Sequence, residues 1–210
     1  MATWVDPTTG DIRTVQTGQE PSGVVANEAL GRFYVAAKGS SELFAFNTDD
    51  ATLLKGVKLD PNDSPAALAL DPETNRVFAA MLGPQEVWAY DADLNRIASI
   101  TADVGDIIND VEVDSVRRRL YVSALLSGQL RVYNLDTFEF IRAVDIGRAP
   151  FGIDVDEETA MAYVAAEVGG VVTFYKDPDK VLPSLPPPGS LLPSAGDSRV
   201  SLVWSTVEGA

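Results

Sequence analysis

RFYVAA (Arg32 to Ala37), RVFAAM (Arg76 to Met81), RLYVSA (Arg119 to Ala124) and MAYVAA (Met161 to Ala166) are four versions of one short apolar strand. Their aromatic residues Tyr34, Phe78, Tyr121 and Tyr163 follow one another at 44, 43 and 42 residues. A regular period in this range marks a repeat architecture.

The surroundings of each aromatic repeat as well. Upstream lies an apolar strand: GVVA from Gly23, ALAL from Ala67, DVEV from Asp110 and GIDV from Gly152. A polar turn follows (NEALGR, DPETNR, DSVRRR, DEETAM), then the aromatic strand, then a loop bearing Gly, Ser or Pro. A third strand reads ELFAFN, EVWAYD, QLRVYN and VVTFYK, and three repeats add a fourth: LLKGVKL, RIASITA and FIRAVDI. Short strands at even spacing, with no helical period between them, predict an all-β fold. Four antiparallel strands about every 43 residues predict the blades of a β-propeller.

In that fold the first strand of each blade lies innermost and is apolar on both faces. Phe33, Val77 and Leu120 before the aromatics, and Val35, Ala79 and Val122 after them, are expected to fill the gaps between blades. The blades span 22–61, 65–103 and 108–147, within a propeller region of 1–181. Residues 3–17 align with 132–146, so the chain opens in the third strand of a blade, and 150–177 supply three strands of another. Residues 10–17 could close a four-bladed ring beside 172–175. The other closure makes this chain the C-terminal part of a larger propeller, and it is preferred because four blades are the lower limit of the fold.

Composition excludes several function classes. The 210 residues carry 31 acids against 16 bases, a formal charge of -15. Such a surface repels phosphate backbones, so no nucleic-acid partner is expected. Cys and His are both absent, which removes thiol and imidazole nucleophiles and zinc sites built on them. No apolar run is long enough for a membrane span. The start MATWVDPTTG has no signal-peptide pattern.

Beyond Leu182 the composition changes. Residues 182–190 read as a Pro-rich linker. Within 191–210, DSRVSLVWS alternates as a strand, with Val200, Leu202 and Trp204 on one face. The string PPPGSLLPSAGDSRVSLVWS resembles the opening of a fibronectin type III domain, which would make Trp204 its core Trp. The segment is expected to be the start of such a domain or a disordered tail.

The repeat itself resembles YVTN/NHL-type bacterial propellers. The matching residues are Pro21 with Gly23, Pro65, and Pro150 with Gly152. Asp71, Asp114 and Asp156 follow the first strand; Arg32, Arg76 and Arg119 precede the second; Asn47, Asp91 and Asn134 end the third. The resemblance implies a non-catalytic binding or scaffold module of an exported multidomain bacterial protein. Such a protein would be extracellular, cell-surface or periplasmic in its full-length form. It would take a protein or carbohydrate ligand on one face of the ring.

Loops between blades and loops joining second to third strands share one propeller face. Glu20, Lys38, Asp60, Asp63, Asp106, Asp110, Arg148 and Glu167 are the candidate ligand residues there. INDVEVDSVRRRLYVS from Ile108 is similar to a segment of gluconolactonase-type propellers. That similarity implies Asn109 as a ligand of a divalent cation such as calcium, and a metal-dependent lactonase as the alternative function. The next repeat departs from it, with Pro150-Phe151-Gly152 where a further Asn ligand belongs. No other cofactor is expected. DADLN (Asp91 to Asn95) has a superficial calcium-loop look, but it falls at a hairpin turn and is expected to be one. Asp71, Asp114 and Asp156 are expected to cap turns, and the SVRRR run to form a solvated turn salt-bridged to neighbouring acids.

Overall fold

The alternating stretches fold as antiparallel strands in successive small sheets. A lead hairpin joins β1 (Ala2–Val5) to β2 (Ile12–Val15). Blade 1 contains β3 (Pro21–Asn27), β4 (Arg32–Ala37), β5 (Glu42–Asn47) and β6 (Leu53–Lys58). Blade 2 contains β7 (Pro65–Asp71), β8 (Arg76–Met81), β9 (Glu86–Tyr90) and β10 (Arg96–Thr101). Blade 3 contains β11 (Ile108–Asp114), β12 (Arg119–Ala124), β13 (Gln129–Asn134) and β14 (Phe140–Asp145). Blade 4 contains β15 (Pro150–Asp156), β16 (Met161–Ala166) and β17 (Val171–Lys176). Each sheet follows chain order. Helix among the described residues is confined to two three-residue turns, Glu28–Leu30 and Lys38–Ser40.

This computed structural model describes residues 1–5, 8–101, 106–168 and 170–178. All belong to one compact unit, Met1–Lys180. The Pro-rich segment, the fibronectin-like strand and Trp204 lie outside the described residues.

The four aromatics occupy one structural position. Tyr34 sits between Val25 and Ala45, Phe78 between Ala69 and Ala89, Tyr121 between Glu112 and Val132, and Tyr163 between Asp154 and Phe174. Because strand side chains alternate, the aromatic points to one face of its blade, and the residues before and after it share the other. Tyr34, Ala36 and Leu43 pack on Val77, Ala79 and Trp88 of blade 2. Phe78, Ala80 and Val87 pack on Val111, Leu120 and Val122 of blade 3. Tyr121, Leu130 and Val132 pack on Ile153, Ala162 and Val164 of blade 4. Each blade thus lays a forward face, carrying the aromatic, on the backward face of the next. The lead hairpin covers Phe33, Val35 and Phe46 of blade 1 with Ala2 and Val15.

The repeated arginine fastens the stack at its rim. Arg32 donates to the Ala92 carbonyl at 2.8 Å and to Asp93 at 2.7 Å, in the last turn of the next blade. Arg76 reaches the Leu135 carbonyl at 3.0 Å, and Arg119 reaches Asp177 at 3.2 Å. The second-strand starts therefore recur in sequence because each grips its neighbour. Blade 4 has Met161 at this place.

The SVRRR turn is salt-bridged to acids as expected, but it is not solvated. Arg117 and Arg119 are buried, and each arginine faces a different acid: Arg117 Asp114, Arg118 Asp71 and Asp136, and Arg119 Asp177. The turn lies where blades 2, 3 and 4 meet, so its charges point into seams rather than solvent. The turn caps form as expected. Asp71 accepts from the Glu73 amide, Asp114 from the Arg117 amide, and Asp156 from the Glu158 and Thr159 amides. DADLN is a turn closed on Asp91, which accepts from the Asp93 and Asn95 amides.

The four-bladed closure does not form among the described residues. It requires residues 10–17 beside β17, whereas β2 pairs with β1 and β17 pairs with β16 alone.

Candidate functional site

All four innermost strands carry the same defect near their start. Register shifts between Pro21 and Gly23, Pro65 and Ala67, Ile108 and Asp110, and Pro150 and Gly152. Each shift leaves one residue without a partner on the neighbouring strand: Ser22, Ala66, Asn109 and Phe151. A β-bulge re-aims the side chain it carries. Here the four bulged residues line one depression of about 270 Å³, together with Lys38, Leu82, Asp110 and Gly152. The inner strands approach closely at this level. A Cβ on Gly23 would stand 3.0 Å from the Leu68 amide nitrogen, so a side chain there would force the strands apart.

Two bulged side chains bridge blades. Ser22 Oγ donates to the Pro65 carbonyl at 3.1 Å, and Asn109 Nδ2 donates to the Phe151 carbonyl at 3.0 Å. Asp110 is a strap between blades 3 and 4. One carboxylate oxygen accepts from the Val111 amide at 2.9 Å and the other from the Ile153 amide at 2.7 Å. Burial pushes its carboxyl up to about 6, and these two amides hold it from rising further. Phe151 stays 53% exposed, its ring at the edge of the depression.

Of the sequence-predicted ligand residues, the structure gathers Lys38, Asn109 and Asp110 here. Glu20 flanks Lys38 at 3.9 Å. Asp60 and Asp63 close their own turn, the Asp60 amide donating to Asp63 at 2.9 Å. Asp106 is buried and accepts from the Ile107 and Leu126 amides, with Arg131 at 3.5 Å. Arg148 lines a separate groove between blades 3 and 4 with Leu126 and Val168. The Glu167 amide donates to the Ala149 carbonyl at 2.9 Å.

No family model matches the chain, and no curated protein matches it in sequence. Solved structures do match. The β-propeller domain of Myceliophteria thermophila Cps50 (Swd1) superposes with a TM-score of 0.72 at 12% identity, covering 88% of this chain and 61% of that one. A putative 6-phosphogluconolactonase from Bacteroides uniformis gives 0.70 at 15% identity, covering 84% and 60%. The RRP9 WD40 repeats give 0.64 at 12% identity, covering 83% and 56%. The fold is that of a β-propeller. The chain spans about three fifths of the length of these neighbours.

Sequence reasoning missed Ser22, Ala66 and Phe151 as site residues. A signal was present, because they share one alignment column with Asn109. That column holds Ser, Ala, Asn and Phe, while the residue just before it is Pro in three of the four repeats.

At the opposite end of the inner strands lies a wider cavity of about 740 Å³, lined by Ala26, Leu70, Glu112, Val155 and Glu157 among others. Glu112 Oε1 accepts from the Val113 amide at 3.0 Å. Burial pushes its carboxyl up to about 7 against that amide, with Asp110, Asp154 and Glu157 adding to the rise. A carboxyl raised by folding contributes stability that is fully present below its unfolded value, 4.5, and is lost as pH rises through about 7. Glu112→Gln is therefore expected to stabilise the protein by roughly 3 kcal/mol at pH 8 and by nothing at pH 4. Urea unfolding at the two pH values checks this. An equal effect at both would mean that the carboxyl is not perturbed.

Proposed function

We propose that the chain is a non-catalytic ligand-binding β-propeller module, taking a protein or carbohydrate ligand at the axial depression. The observation that carries this is the set of four bulges. They turn chemically different side chains from four equivalent positions into one concave surface. Different side chains presented from equivalent axial positions of a repeated scaffold suit recognition.

The donor set speaks against a cation-dependent reaction at Asn109. Calcium takes six to eight oxygens. The depression offers the Asn109 amide oxygen, the Ser22 hydroxyl and a carboxylate already engaged by two backbone amides. Among the described residues no group of three or more acids stands close enough to hold a metal ion. The likeness to a putative lactonase is one of fold. Placement in an exported multidomain bacterial protein is supported by the resemblance to YVTN/NHL repeats and by the fibronectin-like string.

Glycan and peptide arrays probed with the chain and with a Phe151→Ser/Asn109→Ala variant test this reading. Ligands bound by the native chain are expected to lose at least about ten-fold in affinity, on the order of 1.4 kcal/mol. The variant should fold, because Phe151 is half exposed and the one bond lost with Asn109, to the Phe151 carbonyl, is solvent-exposed; circular dichroism checks this. Ligands that bind both proteins equally would move the site elsewhere. Lactone hydrolysis that requires added calcium would replace this reading with the enzymatic one.

A further inference from the structure

At the axial depression the backbone is already engaged, and the side chains are not fully used. The Pro65 and Phe151 carbonyls accept from Ser22 and Asn109, so a peptide main chain laid there would compete with the protein's own groups. What remains for a ligand is carried by side chains. With its Nδ2 on the Phe151 carbonyl, Asn109 keeps Oδ1 as an acceptor. Each Asp110 oxygen takes one backbone amide and retains a second lone pair. The Ser22 hydroxyl donates to Pro65 and still accepts. Lys38 adds an ammonium donor, 3.9 Å from Glu20.

Phe151 supplies an apolar face. Its bulge places it at the level of Ser22, Ala66 and Asn109, and it lines the depression with them. The ring stays 53% exposed beside small neighbours, Ala66, Ala67 and Gly152. An aromatic ring half in water, at the edge of a polar hollow, favours a ligand with an apolar face and a polar rim. At about 270 Å³ the hollow is smaller than the roughly 300–1,000 Å³ of pockets for drug-sized ligands, so one ring fills it. Charge narrows the choice further. Lys38 and Asp110 line the same hollow, so a ligand of either sign meets one like charge. An anion is also repelled by the formal charge of -15.

From this set of groups we infer that the depression binds one neutral sugar ring, stacked on Phe151. The inference rests on the reading of the depression as the binding site, and it narrows the ligand to a carbohydrate. A pyranose has an apolar face of C–H groups and a rim of hydroxyls. The face lies on the Phe151 ring and displaces its water. The hydroxyls donate to Asn109 Oδ1, Asp110 and Ser22, and one accepts from Lys38. Hydroxyls do both, which matches a hollow rich in acceptors with a single cationic donor. Asp110 is held by the Val111 and Ile153 amides before any ligand arrives, so little ordering is needed at that contact.

Titration of the whole chain with methyl glycosides of neutral hexoses and N-acetylhexosamines, read by saturation-transfer NMR, tests this. At least one is expected to bind with a Kd on the order of 1 mM, a value set by the few atoms of one ring. Transfer should be strongest at the C–H protons of one ring face. Phe151→Ser and Asn109→Ala should each weaken binding at least about ten-fold. Phe151→Trp keeps an aromatic face and should retain it. Affinity should not change between roughly 0.05 and 0.5 M salt, because the ligand is neutral. Circular dichroism checks the fold of each variant. A native chain that binds none of the glycosides overturns the inference. Glycoside binding that survives Phe151→Ser overturns it too, and moves the site elsewhere. Short Lys- and Arg-containing peptides are probed alongside. If these bind instead, weaken with salt and are lost in Phe151→Ser, the depression remains the binding site, but its ligand is cationic and the sugar inference falls.

Discussion

Replacing Asp71 by Asn is expected to lower the unfolding free energy by about 3–5 kcal/mol. The Asp71 carboxylate is fully buried at the seam between blades 2 and 3. It accepts two bonds from Arg118, both at 2.8 Å, and one from Arg76 at 3.1 Å, while holding the Glu73 amide of its own turn. Burial alone would raise its pKa. The bonds from Arg118, Thr74 and Arg76 outweigh it and hold the carboxyl well below the usual carboxylate range. An amide at this place keeps the volume but loses the charge, and it leaves two guanidinium groups facing a neutral partner in a low-dielectric seam. Thermal unfolding should show a fall on the order of 10 °C for a domain of this size. A loss under about 1 kcal/mol would show that Asp136 and Glu73 suffice to satisfy Arg118. The native protein should also lose this contribution in acid. A carboxyl whose pKa folding depresses stabilises the fold above its unfolded value of 3.8 and ceases to do so as pH falls through the lower folded one.

Tyr121→Ala and Trp88→Ala are each expected to cost about 3–5 kcal/mol, the range for emptying a large aromatic from a packed core. Tyr121 fills the seam between blades 3 and 4, edge-on to Tyr175 at 6.4 Å, and its hydroxyl donates to the buried Asp177 at 3.3 Å. Burial and the nearby Asp177 raise its hydroxyl pKa, so it remains a donor throughout the working range. Trp88 lies in the seam between blades 1 and 2, under the Arg96 guanidinium at 4.2 Å, with its indole N–H donating to Glu86 at 2.6 Å. Phe174→Ala supplies the contrast. That ring is exposed, and its removal should change monomer stability by no more than about 0.5 kcal/mol. Chemical denaturation of the three variants checks all of these. Comparable losses for Phe174 and Tyr121 would mean that the blade 4 face is covered in solution.

The fold was legible because a repeat writes its own alignment. Tyr34, Phe78, Tyr121 and Tyr163 had to share one position in the blade, and Arg32, Arg76 and Arg119 had to share one role. The role itself could not be read from the strand. Each arginine acts on a carbonyl or carboxylate some 60 residues away in the next blade. The SVRRR turn shows the same limit. Three adjacent bases could be matched with acids from the sequence, but their burial shows only once it is known that three blades converge on them.

The site was legible only in part. Lys38, Asn109 and Asp110 do converge, because strand starts and second-to-third loops share one face in this fold. Asp60, Asp63 and Asp106 lie on related loops, but the Asp63 carboxylate closes its turn on the Asp60 amide and the Asp106 carboxylate holds neighbouring amides. Phe151 was read only as a missing ligand, since its importance depends on the bulge that tips it toward the axis.

The amino-acid sequence by itself determined the period, the strands, the blade and the face on which loops gather. These follow from local alternation and from the distance between identical patterns. Only the tertiary structure decided which polar groups are consumed by packing and which face outward. That outcome depends on what the neighbouring blade presents. Tyr121 and Tyr163 stand at the same place in the repeat, yet only the first has a blade laid over it.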